Sequence, residues 1–275
     1  ASGGATVMVS PAVGRIILSG RRYVGPGDVV GSALAWASPA RAYSAAFAAS
    51  RAPIMELVDT ATGLITTIVN IRRNGFADLS AIPAYGCSVK TLYDQSGTGN
   101  HFSQATLANM PILTRSSLNG LPGLTFSGSM VLATSGNVTP SQPFSFSSVA
   151  VRTNTSTAAL IGCGSVPVQL GYPGSANLAQ ISCGTALTAA ASDSAYHALQ
   201  GVANGASSII VVDGAATTGN GGTTAASTLL RIGRSNGGNT LAGTIMEAGM
   251  WPVGFDATQY GSMNANQHGI NGYSF

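Results

Sequence analysis

Residues 89–104 read VKTLYDQSGTGNHFSQ, and the rest of the chain is organised around this stretch. It opens with alternating apolar and polar side chains, which predicts a half-buried strand. A turn then runs from Asp94 to Asn100: its glycines permit positive φ, and its Asp and Asn side chains can bond nearby backbone N–H groups. From His101 the extended pattern resumes. A turn so rich in polar side chains is either a structural corner or the floor of a ligand site.

The polar residues of this turn form the candidate binding site. In the functional interpretation they line a sugar or calcium site at one edge of a sheet. In the structural interpretation Asp94 and Asn100 satisfy turn amides and His101 caps a strand, since buried backbone groups must find partners. Calcium prefers several carboxylates, and Asp94 has no acidic neighbour in the sequence, so no metal is expected. The candidate ligand-binding residues are Asp94, Gln95, Asn100 and His101.

The composition favours β-structure with an uncharged polar surface. Apolar residues make up 45% of the chain and charged residues only 8%, about a third of the usual charged share. Lys90 is the single lysine. Ser, Thr, Asn, Gln and Gly must therefore cover the surface, which suits weak binding of polar ligands such as sugars. The alternative is that the chain is one part of a larger assembly that hides its surface.

The charge distribution argues against nucleic acid as a partner. The formal net charge is +3, and the basic residues are scattered apart from Arg21-Arg22 and Arg72-Arg73. No basic run is long enough to follow a phosphate backbone. No apolar stretch is long enough to span a bilayer. We expect no nucleic-acid partner, no membrane span and no cofactor.

The three cysteines are Cys87, Cys163 and Cys183. None belongs to a C-x-x-C pair, so a zinc site is not expected. Cys163 and Cys183 lie on neighbouring strand-like segments and would form a disulfide if their geometry allowed it. The alternative is three buried free thiols, because free cysteine behaves as a small apolar residue.

Short strands dominate the rest of the pattern. Residues 144–151 (FSFSSVAV) alternate with period two, and Asp213-Gly214 is a hairpin turn that accepts positive φ. A short helix is predicted over residues 40–49, and Asp256 is expected to start a second helix. His197 lies in a strand without a Cys or acid at ligand spacing, so we expect a half-buried structural histidine.

More than ten short strands with few helices predict an all-β fold, a jelly-roll β-sandwich with short helices and an N-terminal extension. We divide the chain into an N-terminal arm, residues 1–27, with strand-like segments at 5–9 and 15–18, and a single jelly-roll domain, residues 28–275.

Several motifs resemble those of concanavalin A-like and laminin-G-like sandwiches. SSIIVVDG (207–214) is similar to their strand-plus-DG hairpin, and LPGLTFSG (121–128) to another of their strands. LLRIGR (229–234) followed by LAGTIMEAGMW (241–251) resembles their closing strands. The resemblance implies the concanavalin A-like form of the jelly roll.

The segments AYS (42–44) and LYDQSGTGNH (92–101) resemble the catalytic domain of arabinofuranosidase B-type enzymes, whose motif is YDQSGxGNH. That resemblance implies a retaining glycosidase, which needs two carboxyl groups about 5 Å apart. Residues 127–200 contain one acid, Asp193, and the family's adjacent cysteine pair is missing. The catalytic pair is therefore not visible in the sequence. The plausible carboxyl suppliers are Asp94, Asp193, Asp213 and Glu247.

The composition, the Gly-Pro-Gly-Asp segment at 25–28 and the Ala-Tyr-Ser segment also resemble virion-associated proteins of phages and prophages. The expected function is a non-catalytic surface module of such a virion or of a cell-surface assembly, which attaches through weak glycan binding. Two alternatives remain: an arabinofuranosidase-like glycoside hydrolase, and a purely structural virion or decoration protein. Expected partners are a cell-surface polysaccharide, other copies of the chain or other virion proteins, at an extracellular or virion-surface location.

Two tryptophans are further candidates for sugar contact. Trp36 and Trp251 can stack on a sugar face, since their rings offer apolar surface. Trp251 ends an apolar strand, which favours a place in the core. No G-x-S-x-G segment supports Ser-His-Asp nucleophilic catalysis.

Overall fold

The computed structural model describes residues 22–163, 168–236, 238–269 and 272–273. Its helices are α1 (Pro26–Val30), α2 (Ala45–Ser50) and α3 (Ala257–His268). Its strands are β1 (Ala35–Ala37), β2 (Pro53–Asp59), β3 (Ile65–Asn70), β4 (Cys87–Leu92), β5 (Phe102–Ser103), β6 (Ile112–Leu118), β7 (Leu121–Phe126), β8 (Leu132–Asn137), β9 (Phe144–Arg152), β10 (Ala158–Cys163), β11 (Val168–Tyr172), β12 (Leu178–Cys183), β13 (Ala186–Ala190), β14 (His197–Ala203), β15 (Ser208–Val212), β16 (Ala215–Gly219), β17 (Leu229–Ile232) and β18 (Gly243–Trp251).

The strands form two antiparallel layers, and every strand pairing among the described residues is antiparallel. One layer runs β16-β15-β14-β9-β18, and β18 continues to β7 and β1. The other runs β13-β12-β11-β10-β17-β8-β5-β4-β2-β3. The layers pack face to face, with β12 on β14 and β13 on β15. Pairing of β4 with β6 joins them at one end. The predicted all-β jelly-roll sandwich is confirmed.

Strands β9 and β18 lie side by side in the middle of one layer and are buried along their whole length. Such complete burial requires cover on both faces of the layer. One face meets the opposite sheet. A separate apolar cluster that includes Trp36, Trp251 and Met263 of α3 lies outside the main core. Both indoles are fully buried, so neither can stack on a sugar, and Trp251 packs in the protein interior, within this second cluster.

Helix α2 is shorter than the helix predicted for this part of the chain. The alanine-rich pattern favoured residues 40–49, whereas α2 begins after Ser44, whose Oγ accepts the N–H of Phe47. Arg41 instead forms an antiparallel bridge with Phe76, so tertiary pairing overrides the local helix propensity. The predicted helix start at Asp256 is confirmed by a capping box with Gln259. Among the described residues no helix has the length and apolarity needed to cross a bilayer.

The expected N-terminal arm, residues 1–27, falls mostly outside the described residues, and so do its strand-like segments at 5–9 and 15–18. The part that is described packs onto the sandwich. Tyr23 is buried, and its hydroxyl donates to the carbonyl of Ala42 at 2.5 Å. The division at residue 27 stays a prediction.

The cysteines are buried free thiols. Cys163 and Cys183 pair with opposite sides of the same residue, Val168. Two strand spacings, about 9.5 Å, therefore separate their backbones, and a disulfide needs Cα atoms within about 7 Å. The sequence allowed either a Cys163–Cys183 disulfide or three buried free thiols, and the structure has the free thiols.

These thiols are expected to resist labelling while the chain is folded. Burial raises the pKa of both Cys163 and Cys183 to about 12, so at pH 8 only about one molecule in 10⁴ carries a thiolate at either site. We expect Ellman's reagent to titrate three thiols per chain in guanidinium and almost none within minutes in native buffer. Rapid labelling of the native protein would contradict the buried placement.

Candidate functional site

The turn that follows β4 is built around the carboxylate of Asp94, which is only 7% exposed. Its Oδ1 accepts the N–H of Trp36 at 3.0 Å, which ties the turn to β1. Its other partners are the N–H and hydroxyl of Ser96, the hydroxyl of Thr98 and the N–H groups of Gly99 and Asn100. The backbone and hydroxyl groups of the turn therefore occupy both oxygens of Asp94.

Gln95 is also turned inward and is 3% exposed. Its Oε1 accepts the N–H of Tyr43 at 3.0 Å, and its Nε2 donates to the carbonyl of Ser38 at 3.2 Å. These bonds fasten the turn to the segment between β1 and α2. Asp94 and Gln95 therefore contribute mainly to the geometry of the corner.

Asn100 and His101 lie nearer the surface. The Nδ2 of Asn100 donates to the carbonyl of Leu34 at 2.7 Å. His101 is exposed, and its Nδ1 accepts the N–H of Asp94 at 3.1 Å. A cavity of about 270 Å³ opens beside Asn100 and is otherwise lined by Leu34, Asn137, Val138, Thr139, Pro140 and Pro252. The structure brings the four predicted residues together, and ligand binding by them stays a prediction.

Glu247 on β18 is 1% exposed and has no access to a ligand. Its Oε2 accepts the Nε of Arg41 at 2.6 Å and the hydroxyl of Tyr273 at 3.0 Å. Its Oε1 accepts the Nε2 of Gln267 at 2.7 Å. Glu247 is thus the acceptor of an interior ion-pair network.

Asp193 lies between β13 and β14 and has a side chain 18% exposed. It forms an ion pair with the guanidinium of Arg152, which is buried against the ring of Tyr172 at 4.7 Å. Arg152 also donates to the carbonyls of Pro173 and Ser175 at 2.7 and 3.0 Å. The buried guanidinium therefore holds Asp193 and two neighbouring loop carbonyls in fixed positions.

Asp213 lies at the β15–β16 turn, and its carboxylate contacts the ring of His197 at the start of β14. Its Oδ2 lies 2.6 Å from Nδ1 of His197, and its Oδ1 accepts the N–H of Ala198 at 2.8 Å. The Nε2 of His197 lies 2.9 Å from the carbonyl of Ser192. Asp193 is also close enough for its charge to act on the imidazole. Of the two carboxylates, Asp213 contacts the histidine directly and is the more exposed, at 36%.

The same histidine forms a Ser-His-Asp contact, since Oγ of Ser192 lies 3.2 Å from its Nε2. A serine nucleophile needs a neutral imidazole with a free lone pair on that nitrogen. Here both ring nitrogens face acceptors, the carboxylate of Asp213 and the carbonyl of Ser192. The ring is therefore best satisfied as an imidazolium, which cannot accept a proton from Ser192. His197 is buried and stabilises the hairpin.

The contacts between His197 and Asp213 shift the pKa values of both residues so that both side chains are favoured in their charged forms. The hydrogen bond that His197 donates to Asp213 raises the pKa of His197, outweighing the opposite effect of burial. Burial acts to raise the pKa of Asp213, but hydrogen bonds from His197 and the N–H of Ala198 outweigh it and hold that pKa below its usual range. Near neutral pH Asp213 is ionised.

The stability of the protein is expected to depend on pH through this pair. A raised His pKa gives stability that is complete below the unfolded value, about 6.5, and is lost as the pH rises through the folded value. A lowered Asp pKa gives stability that is present above about 3.9 and is lost as the pH falls through the folded value. The contribution of the pair is therefore full between about pH 4 and 6.5. Because Asp213 is 36% exposed, we expect only about 1 kcal/mol.

Urea unfolding from pH 4 to pH 9 measures this effect. Asp213→Asn and His197→Gln should each remove the decline in the free energy of unfolding above pH 6.5 and leave the rest of the profile similar. A wild-type profile that stays flat from pH 6 to pH 9 would contradict the assignment.

The contact between His197 and Asp213 was not recognised in the sequence, where the two residues were considered separately. A usable signal was present. Residues 204–207 join β14 to β15, in the register that places Leu199 opposite Val212. Continuing that register by one or two residues brings Asp213 beside Ala198 and His197. The described residues contain no group of three or more His, Cys, Asp or Glu side chains that could hold a metal ion.

Comparison with known proteins identifies the fold. No protein-family model matches the sequence, and no curated protein matches it. An arabinofuranosidase complexed with arabinofuranosyl-α-1,2-xylobiose is similar over 88% of this chain, with a TM-score of 0.72 and 17% identity. A GH54 α-L-arabinofuranosidase variant, soaked with 4-nitrophenyl α-L-arabinofuranoside, matches over 88% with a TM-score of 0.71 and 18% identity. The chain spans 64% of the length of each of these proteins.

A Trypanosoma rangeli sialidase matches over 66% of the chain with 14% identity and a TM-score of 0.47, which is too low to bear on the fold. The arabinofuranosidase matches overturn the expected function. The expected non-catalytic attachment module of a virion or cell-surface assembly is wrong, because the structures named above that match 88% of the chain are arabinofuranosidases. That expectation took the single acid in residues 127–200 as evidence against a catalytic pair, although a second carboxylate can come from elsewhere in the chain, such as Asp213. The chain has the sandwich fold of the GH54 arabinofuranosidase structures.

Proposed function

We propose that the protein is a glycoside hydrolase that acts on α-L-arabinofuranosides. The main support is the extent of the shared fold, 88% of the chain at a TM-score of 0.72 with an arabinofuranosidase that binds arabinofuranosyl-α-1,2-xylobiose. The partner would be an arabinose-substituted glycan. An extracellular location stays a prediction.

Hydrolysis of a glycosidic bond needs two carboxyl groups on opposite sides of the scissile bond. Of the four suppliers expected from the sequence, Glu247 is enclosed and Asp94 is saturated by the turn. Asp193 and Asp213 keep solvent-accessible carboxylates, and both act electrostatically on His197, which Asp213 also contacts. We assign Asp213 as the ionised carboxylate, because its pKa is lowered, and Asp193 as the second carboxyl group.

Release of nitrophenol from 4-nitrophenyl α-L-arabinofuranoside tests the proposal. Wild type is expected to hydrolyse this compound and to leave 4-nitrophenyl β-D-xylopyranoside intact. Asp213→Asn and Asp193→Asn should each lower kcat/KM at least tenfold. Asp59→Asn is the matched control, because Asp59 is a carboxylate of an exposed turn that bonds only local groups.

The outcomes separate the activity from its residues. No release by folded wild type would overturn the proposed function. Full activity in both Asp213→Asn and Asp193→Asn would overturn the carboxylate assignment and leave the activity standing. Melting temperatures of all variants distinguish lost chemistry from lost folding.

A further inference from the structure

A second cavity, of about 550 Å³, opens at one end of the β2–β3 hairpin. This volume lies within the range of small-molecule sites, about 300–1,000 Å³. It is far in sequence from the His197 site. The lining residues are Arg51, Asn70, Ile71, Arg72, Arg73, Asn74 and Asp78.

The hairpin brings these arginines together. Pro53, which starts β2, is opposite Asn70, which ends β3. The residues just before β2 and just after β3 must therefore emerge at the same end. Arg51 ends α2 immediately before β2, and Arg72 and Arg73 lie in a turn closed by hydrogen bonds between Arg72 and Phe76 and between Gly75 and Arg72. Further backbone hydrogen bonds, from Ile71 to Ala52 and from Asp78 to Asn70, fix the backbone of the residues that line the cavity.

The cavity is cationic. It holds three arginines against one acid, Asp78, and that acid is already bonded to Arg72 and to the hydroxyl of Ser80 at 2.6 Å. Within the described ranges neither Arg51 nor Arg73 forms an ion pair or a side-chain hydrogen bond. In a chain with only 8% charged residues, two uncompensated guanidinium groups beside a third leave a local excess of positive charge.

We propose that this cavity binds an acidic saccharide through its carboxylate or sulfate group. A guanidinium presents paired N–H donors that match both anions. Asn70 and Asn74 add amide groups at the rim for sugar hydroxyls. That the cavity binds an anionic group follows from the arginines alone. That this group belongs to a saccharide, the saccharide half of the proposal, rests on the proposed glycosidase function.

The backbone at Arg51 allows binding to be separated from folding. Arg51 has φ 56° and ψ 30°, the left-handed conformation that glycine adopts most easily after a helix. Arg51→Gly therefore removes a cation from the cavity and relieves backbone strain at once. Its melting temperature should equal or exceed that of wild type, by a few degrees at most. A weakened ligand affinity in this variant cannot then be attributed to misfolding.

Isothermal titration calorimetry of the full chain at low salt tests the proposal with four ligands. These are a glucuronate-substituted xylo-oligosaccharide, the neutral xylo-oligosaccharide of equal length, a sulfated disaccharide and sodium sulfate. The variants are Arg51→Gly, Arg73→Gln and Arg234→Gln. Arg234 is an arginine of a different cavity, so its substitution controls for the loss of one positive charge.

We expect at least one acidic saccharide to bind tenfold or more tightly than the neutral one, with affinity falling as salt rises. Arg51→Gly and Arg73→Gln should each weaken that binding about tenfold, the scale of one charge-assisted hydrogen bond, and Arg234→Gln should not. The uronate and sulfate arms identify which anion is preferred.

Equal binding of acidic and neutral ligands would overturn the proposal. So would equal weakening by all three substitutions, which would indicate non-specific attraction. Sodium sulfate binding as tightly as the saccharides would overturn the saccharide half. Acidic-ligand binding without arabinofuranoside hydrolysis would overturn the proposed function and leave this site standing; hydrolysis without such binding would do the reverse.

Discussion

Arg41→Met is expected to lower the free energy of unfolding by about 3–5 kcal/mol, the usual cost of removing one partner of a buried ion pair. Arg41 and Glu247 are 0% and 1% exposed, and their closest atoms are 2.6 Å apart. Without the guanidinium, Glu247 remains as a buried charge that only neutral donors contact. Urea unfolding followed by tryptophan fluorescence measures the loss.

The double variant Arg41→Met/Glu247→Leu is the matched control. Removing both charges leaves few groups without partners, because Gln267 still bonds Ser147 at 3.0 Å and Tyr273 still bonds the carbonyl of Met246 at 3.0 Å. Buried ion pairs replaced by apolar side chains often cost little. We expect the double variant to be more stable than Arg41→Met. A double variant as unstable as the single one would show that packing around Arg41, not the unpaired charge, sets the cost.

Asp94→Ala is expected to cost about 3 kcal/mol. The substitution leaves the buried N–H of Trp36 without its acceptor, which costs about 1–3 kcal/mol, and it releases the amides of Gly99 and Asn100. These last groups are near the surface, so water replaces part of what they lose. Equilibrium unfolding in urea gives the difference.

Asp59→Ala is the comparison for this effect. Asp59 also accepts two turn amides, those of Ala61 and Thr62 at 2.8 Å each, but these bonds lie at the surface. Its substitution should cost much less than Asp94→Ala, because water reaches the freed amides. Equal costs at the two positions would contradict the claim that burial of the Trp36 N–H makes Asp94 important.

The sequence was informative where structure is local. Strand β15 and the Asp213-Gly214 turn that follows it are predicted by the apolar run and the turn chemistry, and the capped start of α3 at Asp256 is predicted by its capping residue. The helix over 40–49 was misplaced because Arg41 pairs with Phe76 across the fold. Alanine-rich composition reports local propensity and carries no information about such a distant partner.

Sites that depend on distant contacts were harder to predict. Glu247 lies 206 residues from Arg41, and no periodic pattern links them. The basic pair Arg72-Arg73 was visible in the sequence, but its proximity to Arg51 follows only from the pairing of β2 with β3. Asp213 was noted in the sequence, but its contact with His197 follows only from the pairing of β14 with β15.

The long reach of the Arg41 network has a consequence for biosynthesis. Ribosomes add about 5–20 residues per second, so the 206 residues between Arg41 and Glu247 take roughly 10–40 s to synthesise. During that interval the nascent chain exposes a cation and apolar strands that have no partners yet. Closure of the sandwich therefore comes late, after Tyr273 has left the exit tunnel, and until then the exposed strands are prone to aggregation and are sites for chaperone binding.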